Sequence, residues 1–136
     1  MVDDVLANKA ESIERCLQRI EEDYRGHEQE IDTDFMRRDA IILNLQRACE
    51  TAIDAAMRIV RLRKLGMPTE SREAFELLEK HQIIPEDLSE NLKKMVGFRN
   101  IAIHDYQKID TAILKSILDS KLGDFKRFVR TLLVLE

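Results

Sequence analysis

At 136 residues the chain is long enough to bury a core without metal or disulfide staples. Charged residues make up 35% of it, with 4 glycines, 2 prolines and no tryptophan, a composition that favours helices and leaves little material for turns. The net charge of −4 excludes a broad electrostatic footprint for nucleic acid, so any such contact must be a local basic groove.

The opening Met1-Val2-Asp3-Asp4 is acidic and unlike a signal peptide. No apolar run approaches the ~18 residues of a membrane span, so the expectation is a soluble cytoplasmic protein with no membrane contact. Val5, Ile13, Leu17, Ile20 and Tyr24 then step at helical spacing through a charged background until Gly26 and His27. A second helix is expected from an Asp34 N-cap to a Gly66 stop, long enough to be the spine of the domain. After the turn at Met67-Pro68-Thr69, either Ser71 or Thr69 can cap a short helix that ends near His81. Pro85 is placed to be the first residue of a fourth helix, with Glu86 and Asp87 favourable to its dipole. Asp110 should cap a last helix whose apolar set runs from Ile113 to Leu133. The reading is all-α, a bundle of about five helices, four long and one short. No repeat, low-complexity tract or linker divides it, so residues 1–136 read as a single helical domain.

Cys16 and Cys49 fall on apolar faces with no C-x-x-C spacing and read as reduced, buried thiols. His27 and His81 sit at helix ends among charged neighbours and are given no function. Basic runs such as Arg58 to Lys64 read as solvated faces.

The segment Phe98-Arg99-Asn100-Ile101-Ala102-Ile103-His104-Asp105-Tyr106 is different, because it sets an arginine, a histidine and a tyrosine among apolar residues. Leu88, Leu92, Met95, Arg99, Ala102 and Tyr106 follow one another at steps of 4, 3, 4, 3 and 4, which places Arg99 and Tyr106 on the apolar stripe. A guanidinium there must be paired or used on a substrate. Glu50 or Asp54 of the long helix could pair with it. Residues five apart point about 140° away from each other, so Arg99 and His104 share a face only if the helix loosens before His104. Otherwise two copies related by a two-fold axis could bring them to one cleft. Asn100, four before His104, is within reach of the imidazole and could fix its tautomer. The stretch Met95 to Ile103 is apolar nearly all round, more than so small a domain easily buries, and a homodimer would cover the surplus.

The pattern Arg99-x4-His104-x-Tyr106 resembles the signature of the HEPN domains, in particular the HepT-type toxins. The long second helix, reading Arg38-Asp39-Ala40 through Ala48-Cys49-Glu50-Thr51-Ala52-Ile53-Asp54, adds to the resemblance, which covers essentially the whole chain. The resemblance implies a dimeric, metal-independent endoribonuclease, the toxin of a toxin–antitoxin pair. Its implied antitoxin is a small MNT-type nucleotidyltransferase that silences it by transferring AMP from ATP to Tyr106. Arg99 and His104 would be catalytic, Asn100 and Tyr106 supporting, Glu50 and Asp54 more remote helpers, with no metal and no cofactor.

The residues fit that chemistry without the name. RNA cleavage by the 2′-hydroxyl needs a base for its proton and a cation for the phosphorane, and His104, as base or acid, with Arg99 would supply both. The competing reading is a non-catalytic nucleotide-binding or nucleotidyltransferase-docking helical module.

Overall fold

The computed structural model describes residues 3–135; Met1, Val2 and Glu136, and with the first two part of the acidic opening, lie outside the described residues. Asp3 starts the first helix, α1 (Asp4–Tyr24), by accepting a hydrogen bond from the Leu6 N–H at 3.0 Å. The same carboxylate pairs with Arg58 at 2.9 Å, and that guanidinium holds Asp3 below the usual carboxylate range. Gly26, at φ +81°, turns the chain out of α1.

Asp34 caps the second helix, α2 (Phe35–Arg63), as expected, accepting from the Arg37 N–H at 3.1 Å. Arg37 reaches back to the Asp23 carbonyl at 2.8 Å, while Arg58 near the other end of α2 holds the start of α1. These two ties fix α1 and α2 as an antiparallel hairpin. The helix stops earlier than Gly66: Lys64 takes the left-handed conformation at φ 54°, and Leu65 N–H closes onto the Val60 carbonyl at 3.0 Å. Gly66 has a separate reason to be glycine, since its φ is +150° and a Cβ there would press on Leu77 at 3.2 Å.

The third helix, α3 (Ser71–Lys80), starts at Ser71 with Glu70 at the N-cap position, so neither Ser71 nor Thr69 is the cap itself. Thr69 instead braces the first turn through Glu73, which accepts from its N–H at 2.8 Å and its hydroxyl at 2.9 Å. The helix ends at His81, as the spacing predicted. Pro85 is the N-cap of the fourth helix, α4 (Glu86–His104), rather than its first residue, with Glu86 and Asp87 in the first turn.

Asp110 caps α5 (Thr111–Ser120) through the Ala112 N–H at 2.7 Å, but the expected last helix is two helices, α5 and α6 (Leu122–Val134). The break falls at Lys121, beside Ser120 and Gly123, both poorer helix formers than the residues around them. Leu114, Ile117 and Leu118 are buried on α5, and Leu122, Phe125, Phe128, Val129 and Leu132 on α6. Periodicity missed the bend because the apolar spacing runs through it unbroken.

Six α-helices and two one-turn 3-10 helices, with no strand, account for the regular structure of the described residues. The α1–α2 hairpin packs α6 against α1 and α3 against α2, and α4 lies against α2, α3 and α6. At the centre Phe75 of α3 meets Phe128 of α6 edge to face, centroids 5.8 Å apart, an arrangement worth about 0.5–1.5 kcal/mol beyond area burial. Cys16 and Cys49 are buried free thiols, as read from the sequence. No helix among the described residues is long and apolar enough to cross a membrane.

Candidate active site at the end of the fourth helix

The buried side of α4 carries Leu88, Leu92, Met95 and Ala102, and Arg99 falls in the same series, half-buried at the edge of the core. Its Nη1 donates to the Asn100 Oδ1 at 3.2 Å, and its Nε is buried with no hydrogen-bond partner. The ion pair with Glu50 or Asp54 is not formed. Glu50 accepts from Gln46 at 2.8 Å, and both carboxylates line a polar hollow of about 340 Å³ between α1 and α2, beside Arg15, Arg19 and Arg47. Burial pushes the Cys49 thiol up, while the charge of Arg99 opposes that rise and Glu50 adds to it. Asn100 spends its carbonyl on Arg99, the residue before it, and not on the His104 imidazole.

His104 is the last residue of α4 and is exposed. The helix does not loosen ahead of it, for the Asp105 N–H closes the final turn onto the Ile101 carbonyl at 2.8 Å. Within one chain Arg99 and His104 therefore point away from each other at the helical angle.

Tyr106 does not lie on the α4 stripe. The helix ends two residues earlier, and Tyr106–Lys108 forms a one-turn 3-10 helix that leads back toward α2. The reason is a pair of ties that local periodicity cannot register. The Tyr106 hydroxyl donates to the Asp39 carboxylate, 67 residues away in sequence, and Arg38 donates from Nη2 to the Ile109 carbonyl at 2.9 Å. Tyr106 remains 38% exposed, yet partial burial and the Asp39 carboxylate push its phenol up to about 12. Asp39 belongs to the stretch of α2 that carries the resemblance, but nothing in the sequence tied it to Tyr106.

The apolar surplus of α4 is visible as exposed Ile101, Ile103 and, on α5, Ile113. Ile101 and Ile113 border a groove of about 440 Å³ between α4 and α5 that is floored by Met95, Phe98 and Ile117. The last two turns of α4 thus offer a half-buried cation, an exposed imidazole and an apolar face.

Residues 13–132 match the family described as Ribonuclease HepT-like, to which the chain belongs. It is 44% identical to the mRNA nuclease HepT of Shewanella oneidensis over 94% of this chain and 96% of that protein. Its fold superimposes with a TM-score of 0.91 on the tri-AMPylated Shewanella oneidensis HEPN toxin in complex with MNT antitoxin, at 44% identity and covering 96% of this chain and 97% of that one. A toxin–antitoxin structure bearing one tyrosine-to-alanine substitution matches with a TM-score of 0.89 at 42% identity, covering 94% and 97%.

Proposed function

We propose that the chain is a metal-independent endoribonuclease acting in the cytoplasm as the toxin of a toxin–antitoxin pair. Its substrate is RNA, its working form is a homodimer, and its antitoxin is an MNT-type nucleotidyltransferase that silences it by AMPylating Tyr106. The observation that carries this reading is the state of Arg99. A half-buried guanidinium that forms no ion pair with the carboxylates of α2 and donates to the neutral Asn100 Oδ1 keeps its charge for an anion from outside the fold.

Catalysis follows from the two motif residues. One His104 takes the proton of the 2′-hydroxyl as that oxygen attacks the neighbouring phosphorus. Arg99 neutralises the charge that builds on the phosphorane, and the 5′-oxygen leaves with a proton from a second His104. Products are a 2′,3′-cyclic phosphate and a 5′-hydroxyl. One chain keeps Arg99 and His104 on different sides of α4, so the site needs a second copy, docked through Ile101, Ile103 and the α4–α5 groove about a two-fold axis. The relatives' tri-AMPylation and tyrosine substitution support Tyr106 as the acceptor, as does the exposure of this residue just past the end of α4. AMP there would add bulk and negative charge where RNA phosphate must approach.

The test is labelled RNA incubated with unmodified chain in EDTA, beside Arg99→Ala, with the product ends analysed. Cyclic-phosphate ends that disappear in the variant are the expected result. Absence of cleavage by chain whose mass shows an unmodified Tyr106 would favour the nucleotidyltransferase-docking module.

A further inference from the structure

We infer that Asp39 is the general base for AMP transfer to Tyr106, so that the toxin itself supplies the group that activates its acceptor hydroxyl; this rests on the assignment of Tyr106 as the AMP acceptor.

The geometry is specific. Two adjacent residues near the start of α2 hold both ends of the turn that follows α4: Asp39 accepts from the Tyr106 hydroxyl, and Arg38 donates to the Ile109 carbonyl at 2.9 Å. Ile109 is buried beneath the turn, which fixes its far end. The phenol oxygen is therefore aimed at one carboxylate on a rigid helix, in a side chain that is 38% exposed and so within reach of a nucleotide from solvent.

The chemistry needs such a partner. A phenol with its pKa pushed up to about 12 presents almost no phenolate near neutral pH, so its proton must leave as the new bond forms. In the step, the Tyr106 oxygen attacks the α-phosphorus of ATP and the bond from that phosphorus to the pyrophosphate oxygen breaks. Pyrophosphate leaves with that electron pair, and the phenol proton passes to Asp39. Arg38, whose positive charge already bears on the phenol, stands ready for the negative charge of the phosphodiester. Asp39 has no role in the RNA site described above.

The experiment mixes unmodified chain with its nucleotidyltransferase partner and ATP and follows intact mass, with peptide mapping of the modified residue. Only the transfer that makes the bond to the phenol oxygen has this proton to lose, so the first AMP increment is the readout. Asp39→Asn keeps a hydrogen-bond acceptor beside Tyr106 but not a base. It should slow the first increment by roughly 10²–10⁴-fold while still co-eluting with the partner. Asp39→Glu, which restores a carboxylate, should recover most of the rate. Modification of Asp39→Asn at the parental rate would overturn the inference, as would equal slowing of the Asn and Glu variants with partner binding retained. Labelling of the parent chain at a residue other than Tyr106 would instead overturn the acceptor assignment, and is distinguished by the mapped peptide.

Discussion

On α4, Leu88, Leu92, Met95 and Val96 are each no more than 4% exposed, whereas every residue from Ile103 to Lys108 is exposed. The first group is held by α2, α3 and α6; the second extends past them and is tied back to α2 where Asp39 accepts from Tyr106 and Arg38 donates to the next residue, Ile109. The difference separates two duties along one continuous segment. On the proposed function, side chains in the packed part serve folding and those at the end serve cleavage and modification, so substitutions in the two parts should fail in different assays.

The largest expected effect is at the end. His104→Ala should lose roughly 10²–10⁴-fold in RNA cleavage, the usual worth of a general acid or base, and leave folding unchanged because the side chain is exposed. In the packed part, Leu92→Ala should cost about 2–5 kcal/mol of stability, read from denaturant unfolding. An effect on cleavage that survives correction for the folded fraction would blur the division.

Ile101→Asp sharpens the comparison from a third side. It places a carboxylate on the apolar face beside the α4–α5 groove. Light scattering should show the mass fall from dimer to monomer, with cleavage lost and the helical circular dichroism kept.

The smallest effect on stability comes from the two tyrosines. Each donates to a carboxylate, Tyr24 to Asp119 at 2.7 Å and Tyr106 to Asp39, and both phenols are pushed up to about 12, by burial first and then by the carboxylate. What differs is access, because Tyr24 is buried and joins α1 to α5. Tyr24→Phe should cost about 1 kcal/mol, one hydrogen bond, and leave AMP transfer untouched, while Tyr106→Phe should abolish the first AMP increment. Since folding raises both phenol pKa values above the ordinary 10.0, the stability they contribute is fully present below pH 10 and is lost as pH rises toward 12. Alkaline unfolding of Tyr24→Phe should accordingly be shallower across that window.

Much of this was legible in the sequence where the signal is local. Asp34 and Asp110 announce their helices because a cap needs only the next few N–H groups, and Arg99 declared itself by being charged in an apolar series. What local pattern cannot carry was missed. The bend at Lys121 leaves the apolar spacing intact, and Tyr106 fits the α4 period although the chain has already left the helix. Chemistry alone allows Glu50 or Asp54 to pair with Arg99, while the fold turns both to a hollow lined by three other arginines. The Asp39–Tyr106 contact spans 67 residues and needed the tertiary structure to be seen.

The most direct test of the account measures, on one preparation of His104→Ala, both the rate of RNA cleavage and the midpoint of thermal unfolding against the parent chain. The account predicts a cleavage rate reduced by at least about 10²-fold with an unchanged midpoint. Parental cleavage by a folded His104→Ala chain would contradict it.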